Sequence, residues 1–258
     1  MIDKVVEIAR EAGTAVRKGF GKKHSLEYKT NLSNFVTETD KESERIIIDF
    51  IKKEFPSHSV LAEESGEHRS SSEYLWVIDP LDGTSNFAHG LPIFSVSIGV
   101  QKNGETICGA VYDVMRDEMF YAEMGSGSYC NSERLSVSIN DDLKKSMLVT
   151  GFPYDISENP DFAMERFNAF LKEARAIRRL GSAAIDFCYV ASGVFDGFWE
   201  VSLNSWDACA GSLIVEEAGG VVTDFNEKRI TKGTKQYLAS NGKVHQAMID
   251  ILKAVSNI

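Results

Sequence analysis

Apolar and polar positions recur along this chain with two periods, and the switches between them mark out its elements. Ile2, Val5, Val6, Ala9, Val16 and Phe20 fall at helical spacing and predict an amphipathic helix ending near Gly19 or Gly21. Residues 22–34 carry few apolar side chains and predict an extended hairpin or mobile loop bearing Lys29. Ile46, Ile47, Phe50 and Ile51 mark the core face of a second helix, and Thr39-Asp40-Lys41-Glu42 ahead of them has the form of a capping box. After Pro56 a short strand at 59–62 runs into Glu63-Glu64-Ser65-Gly66, and residues 67–73 read as a loop. The period becomes two in 93–101, where Phe94, Val96, Ile98 and Val100 alternate with Ser95, Ser97, Gly99 and Gln101, predicting a strand with one buried face. Asn103-Gly104 signals a hairpin, 107–112 and 119–122 continue an antiparallel sheet, and Gly125-Ser126-Gly127 turns again.

Past a polar stretch at 140–145 the pattern changes to alternating strands and helices. Strands are predicted at 148–150, 195–200, 221–223 and 237–239, and helices at 161–174, 183–191, 208–218 and 244–255, the third opened by Trp206-Asp207 and ended by Gly219-Gly220. Such alternation predicts α/β layers. A soft boundary at 140–150 divides the chain into an N-terminal α+β half, residues 1–145, and a C-terminal α/β half, residues 146–258, packed closely as one unit. With 258 residues and 43% hydrophobic content, a large core can be buried, and a disordered or fibrous class is excluded.

One stretch interrupts the apolar logic: Trp76-Val77-Ile78-Asp79-Pro80-Leu81-Asp82-Gly83-Thr84-Ser85-Asn86-Phe87. Residues 74–78 read as a buried strand, which Pro80, lacking an N–H, is expected to stop at Asp79. Gly83 then allows a turn, and Thr84-Ser85-Asn86 opens a short helix, so two acids lie beside free N–H groups that favour an anion. Carboxylates and a phosphate approach one another only through a cation. If Asp79 and Asp82 converge with Glu63 and Asp207, four hard oxygen donors carrying about −4 favour Mg²⁺ over zinc or copper. Two such ions neutralise the set, and a third, or Lys29, adds attraction for a phosphate dianion. Thr84 could then position an attacking water, with Asp40 orienting its hydroxyl or receiving its proton. Locally, however, Asp40 reads as a complement to a helix dipole and Glu63-Glu64 as a solvated pair.

Charge narrows the partners. A net charge of −10 disfavours a nucleic-acid surface and suits a protein that handles anions through bound cations. Cys108, Cys130, Cys188 and Cys209 are widely spaced, without a Cys-x-x-Cys, and the five histidines form no ligand pair, so structural zinc and a disulfide framework are not expected. The first residues lack a signal-peptide core and no apolar run is long enough to span a bilayer; a cytoplasmic location without membrane contact is expected. Trp76, Trp199 and Trp206 read as core, Cys188 and Cys209 as small buried groups, and His89 as a turn residue.

Taken together, Phe35-Val36-Thr37-Glu38-Thr39-Asp40, Leu61-Ala62-Glu63-Glu64-Ser65, the Trp76 stretch, Arg179-Leu180-Gly181-Ser182-Ala183-Ala184 and Asn204-Ser205-Trp206-Asp207 resemble, in order and almost end to end, the inositol monophosphatase family of Mg²⁺-dependent, lithium-sensitive phosphatases. Phe152-Pro153 and Asp196-Gly197-Phe198-Trp199-Glu200 look like its bacterial members. The resemblance implies a layered αβαβα sandwich of the inositol monophosphatase and fructose-1,6-bisphosphatase type, usually a homodimer. It implies two or three Mg²⁺ held by Glu63, Asp79, Asp82, Asp207 and the Leu81 carbonyl, with Thr84, Asp40 and Glu63 in catalysis. It further implies that Gly83 and Thr84 hold phosphate, that Lys29 lies on a catalytic loop, and that Gly181, Ser182, Ala183, Glu200 and Asp207 meet the substrate. Departures are mild: Leu81 where isoleucine is frequent, Ser182 where the animal enzymes have threonine, and Ala88. The substrate implied is a small phosphomonoester resembling inositol 1-phosphate. Fructose 1,6-bisphosphate, NADP and 3′-phosphoadenosine nucleotides are the alternatives, with a regulatory protein-binding role as the non-enzymatic one.

Overall fold

α1 (Ile2–Gly19), β1 (Glu27–Tyr28), β2 (Phe35–Val36) and α2 (Glu38–Glu54) open the chain in a computed structural model that describes residues 1–256. The polar segment after α1 is the predicted hairpin: β1 and β2 pair antiparallel, Tyr28 opposite Phe35, with Lys29 just past β1. Next come β3 (Ser59–Ala62), β4 (Gly66–His68), β5 (Tyr74–Asp82), α3 (Thr84–Ala88), β6 (Ser95–Lys102), β7 (Glu105–Asp113), β8 (Glu118–Glu123), β9 (Ser128–Cys130) and β10 (Glu133–Arg134). They form an eight-stranded sheet in the order β10-β9-β8-β7-β6-β5-β3-β4, antiparallel except for the β3–β5 pair. The segment predicted as a loop before β5 contains β4, which hairpins back on β3.

The remainder consists of β11 (Met147–Thr150), α4 (Ala163–Glu173), β12 (Ala176–Arg178), α5 (Ala183–Ala191), β13 (Gly197–Glu200), α6 (Ser205–Glu217), β14 (Val221–Thr223), β15 (Tyr237–Ser240) and α7 (His245–Ser256). Its five strands run β12-β11-β13-β15-β14; β11 pairs parallel with both β12 and β13, while β15 pairs antiparallel with β13 and β14. The three-residue β12, too short to show a period, is an addition to the predicted elements.

Stacking follows from which faces are apolar. α1 and α2 cover one face of the large sheet through Val5, Ile8, Val16, Ile47 and Ile51. α5 and α6 lie between the two sheets, and α4 and α7 cover the far face of the small one, where Phe170, Leu148 and Met248 are buried. The result is the αβαβα sandwich, with helix layers and sheets alternating. The alternation in β6 was expected to leave one face open, yet Ser95 through Val100 are all buried. Serine and glycine line that second face because α6 must approach it closely. A Cβ on Gly99 would stand 2.5 Å from Cys209 Sγ, and one on Gly109 would stand 2.9 Å from Ala210 Cα. Overpacking of this kind costs about 1–3 kcal/mol. Polar residues here record helix contact rather than solvent.

Candidate active site

β5 continues through the proline that was expected to end it. Asp79 pairs with Ser97 and Asp82 with Ser95, so three steps on β5 oppose two on β6. The extra residue is a bulge, which tolerates a missing N–H inside a sheet where a regular central position would not. Around it the Leu81 N–H donates to Asp79 Oδ1 at 3.0 Å, and Ser43 Oγ donates to the Pro80 carbonyl at 2.7 Å. Gly83 follows with φ 96°, and a Cβ there would lie 3.0 Å from the Ile93 carbonyl and 3.2 Å from that of Gly181. Glycine is therefore required twice, by conformation and by space. α3 starts at once, and Asn86 within it donates to the Ile93 and Leu180 carbonyls, both at 2.8 Å, tying the turn to the other half.

The cap of α2 lies two residues earlier than predicted. Thr37 is the N-cap and Asp40, at the third helical position, closes the box by accepting the Thr37 N–H at 3.0 Å and its hydroxyl at 2.5 Å, both on Oδ2. Glu42, expected in that role, pairs with Arg45 at the surface. Asp40 is 1% exposed, so it is no solvated dipole partner. Its Oδ1 accepts from Thr84 Oγ1 at 2.9 Å, while the Leu81 carbonyl stands 3.0 Å from the same hydroxyl. One hydroxyl hydrogen faces two acceptors, which leaves the oxygen lone pairs free to receive a donor. Burial raises the Asp40 pKa against the threonine donors that lower it.

Asp82 is gripped from the other half: Ser182 Oγ donates to Oδ2 at 2.5 Å and the Ala184 N–H at 2.8 Å, at the start of α5. Asp207 repeats the α2 arrangement, accepting the Asn204 N–H on Oδ2 at 2.6 Å as the third residue of α6. Glu63 and Glu64 are half-buried. Lys29 Nζ reaches Glu63 at 3.0 Å and Glu64 at 2.6 Å, and Glu44 accepts the Glu64 and Ser65 N–H groups, each at 2.9 Å. Burial works against the Lys29 charge, but Glu63 and Glu64 outweigh it and raise its pKa. Burial and Glu63 push Glu64 up to about 7.

Glu63, Asp79, Leu81, Asp82, Gly83, Thr84, Gly181, Ser182, Ala183, Glu200 and Asp207 all line one cavity of about 570 Å³, within the range of small-molecule sites. Two expected residues do not line it. Asp40 stands behind Thr84, and Lys29 approaches Glu63 from the hairpin, whose tip is fixed to the far half by Asn31 Nδ2 donating to the Tyr154 carbonyl at 3.2 Å. Ser43, Glu44, Asn86, Arg179 and Asp186 are additions to the predicted set.

The electrostatics ask for a cation. Burial first, then Glu63, Asp82 and Asp207, hold Asp79 well above the usual carboxylate range. Burial, Glu63 and Asp82 do the same to Asp207, and burial pushes Asp82 up to about 6 despite the Ser182 and Ala184 donors. Among the described residues no three His, Cys, Asp or Glu side chains close on a single point as a preformed ligand cluster. Asp79, Asp82 and Asp207 instead share a wall with Glu63, and burial together with neighbouring charge raises the pKa of each of the three. An all-oxygen, strongly anionic set of this kind fits hard divalent ions such as Mg²⁺.

The sequence profile of the inositol monophosphatase family matches residues 1–257. The chain belongs to that family. Among its relatives, Nus factor SuhB of Pasteurella multocida is 42% identical over 100% of this chain and 94% of its own length. The chloroplastic phosphatase IMPL1 of Arabidopsis thaliana is 41% identical over 99% of this chain and 71% of its own. A solved structure of an IMPase from Thermotoga maritima superposes with a TM-score of 0.91 at 38% identity, covering 99% of this chain and 97% of that one. Inositol monophosphatases of this kind share the mixed α/β fold described above, and among the described residues no helix is long and apolar enough to cross a membrane.

Proposed function

We propose that this member of the family hydrolyses a small phosphomonoester, inositol 1-phosphate or a similar polyol phosphate, to the alcohol and inorganic phosphate with two or three Mg²⁺ per site. The observation that carries the reading is the Thr84 hydroxyl, bonded to buried Asp40 on the same turn that presents Asp79 and Asp82 to the cavity. Glu63, Asp79, Asp82, Asp207 and the Leu81 carbonyl would hold the ions. When bound, these lower the pKa of water and neutralise charge on phosphate and leaving group. Thr84 Oγ1 accepts a hydrogen bond from the attacking water because its own hydrogen is committed to Asp40 or Leu81. Asp40 fixes that orientation, and Glu63 takes the proton the water loses. The N–H groups of Gly83 and Thr84 bind phosphate oxygens. Water adds to phosphorus, the ester P–O bond breaks, and the alcohol leaves toward Gly181, Ser182, Ala183 and Glu200. The two halves, 1–145 and 146–258, act as one unit, and a cytoplasmic homodimer inhibited by Li⁺ completes the proposal.

Phosphate release from inositol 1-phosphate, fructose 1,6-bisphosphate, NADP and 3′-phosphoadenosine 5′-phosphate, with Mg²⁺ and with Li⁺ added, tests it. Inositol 1-phosphate is expected to rank first, and Asp82→Asn to lower release at least about 10³-fold with the fold intact. Undiminished turnover in that variant would sink the proposal. A second reading, a regulatory protein-binding role, is supported by relatives that are named Nus factors. A requirement in cells that survives Asp82→Asn would favour it.

A further inference from the structure

Of the four acids in the cavity wall, Glu63 is held differently from the rest. Asp79, Asp82 and Asp207 each spend a carboxylate oxygen on a main-chain N–H, from Leu81, Ala184 and Asn204 in turn. The Glu63 carboxylate, among the described residues, accepts only from Lys29 Nζ on the hairpin. Its aim therefore rests on its own backbone. On one side the Glu63 N–H donates to the Ile78 carbonyl of β5 at 3.1 Å. On the other, the N–H groups of Glu64 and Ser65 donate to Glu44 Oε2 and Oε1, each at 2.9 Å. Glu44 lies on α2 and is 4% exposed. A carboxylate is tolerated at such depth only with its oxygens satisfied, and here two successive peptide N–H groups match the two oxygens.

Asp40 and Ser43 share this face of α2, at helical spacing from Glu44, and both are buried. Asp40 accepts from Thr84 Oγ1, Ser43 donates to the Pro80 carbonyl, and Glu44 holds the turn at 63–65. Within about 6 Å of helix, three anchors thus meet three segments of the site. A helix keeps such a spacing more precisely than a loop does. Resting on the phosphatase reading, we propose that Glu44 is a positioning residue: by holding the turn after Glu63, it aims that carboxylate at a divalent cation and fixes it relative to Thr84. Glutamine at 44 would keep one acceptor and turn an amide N–H₂ toward a peptide N–H, losing one of the two bonds at nearly constant volume.

The test compares wild type, Glu44→Gln and Ile47→Val, the last thinning the core contact of α2 three residues further on. Mg²⁺ is titrated without substrate, followed by calorimetry and melting temperature, and exchange of the Glu64 and Ser65 amides is measured without Mg²⁺. Glu44→Gln is expected to raise the Mg²⁺ concentration for half-saturation about ten-fold and to speed exchange of both amides at least about ten-fold. Ile47→Val lowers the melting temperature but leaves both at wild-type values. Should Glu44→Gln not fold, Glu44→Asp, one methylene shorter, is read in its place, and a rise of about three-fold in half-saturation supports the role. Unaltered half-saturation at position 44, or an equal rise in Ile47→Val, overturns it. If wild type releases phosphate from no substrate, the phosphatase reading fails by itself, and the substrate-free titration still judges Glu44: weaker Mg²⁺ binding by the variant supports the role, and no Mg²⁺ binding by wild type overturns it.

Discussion

Two helices of this protein begin in the same way and put the result to different use. α2 and α6 each open with a capping box whose third residue is an aspartate, Asp40 in one and Asp207 in the other, and each spends Oδ2 on the N-cap N–H. That local device fixes where the second oxygen points. For Asp40 the second oxygen meets a hydroxyl, Thr84 Oγ1, and the group sits behind the cavity wall. For Asp207 the surroundings are like charges, Glu63 and Asp82, and the group lines the cavity. The cap sets direction, and what the partner segment offers sets the surroundings: a neutral hydroxyl donor for Asp40, proposed above to orient Thr84, and crowded acids for Asp207, proposed above to hold a cation.

The sharpest way to break this contrast is to remove each charge while keeping its shape. Asp207→Asn is expected to lose at least about 10³-fold in turnover together with the thermal shift on adding Mg²⁺. Asp40→Asn should lose about 10²-fold but keep that shift, because the role proposed for Asp40 is to orient and not to ligate. Equal loss of the shift in both variants would erase the distinction.

A pH profile of stability sharpens it next. Asp82 titrates near 6 in the folded protein, above the unfolded value of about 3.9. The folded state therefore holds the extra proton between these values, and the associated stability, complete below about pH 4, is lost as pH rises through 6. Without Mg²⁺, Asp82→Asn should exceed wild type by on the order of 2 kcal/mol at pH 7.5 relative to any difference at pH 4. Denaturant melts at the two pH values measure this, and saturating Mg²⁺ should remove the advantage.

Smallest is the Lys29 contact. Lys29→Met leaves Glu63 and Glu64 facing one another, but the ammonium is partly solvated. A stability change of no more than about 1 kcal/mol is expected by denaturant melts, with the Glu44 clamp keeping the turn in place.

Much of this was legible in the sequence because periodicity and carboxylate placement are local. The helices α1 and α5, the strand Ser59–Ala62 and the paired acids near Gly83 are readable within short windows. What escaped is decided by distant packing. Pro80 stays in the sheet because β6 accommodates a bulge, and the Ser95, Ser97 and Gly99 face of β6 is buried because α6 covers it. Asp40 changes from a surface residue to a buried one only because Thr84, far along the chain, comes to meet it. Two signals could have been read. Glu44 falls on the same helical face as Ile47 and Ile51, and Asp186 is the lone charge in the apolar run 183–191. A charge on a core face predicts a partner or a ligand.

The grip on Asp82 also has a history in time. Its donors, Ser182 and Ala184, lie 100 and 102 residues further along the chain, so during synthesis Glu63, Asp79 and Asp82 leave the ribosome long before those donors exist. Until then Asp82 lacks both of these donors, so the grip on it forms only after the second half has been made. On the proposed function, activity gained during translation or refolding would therefore require that both halves have been made, and neither half alone would show it.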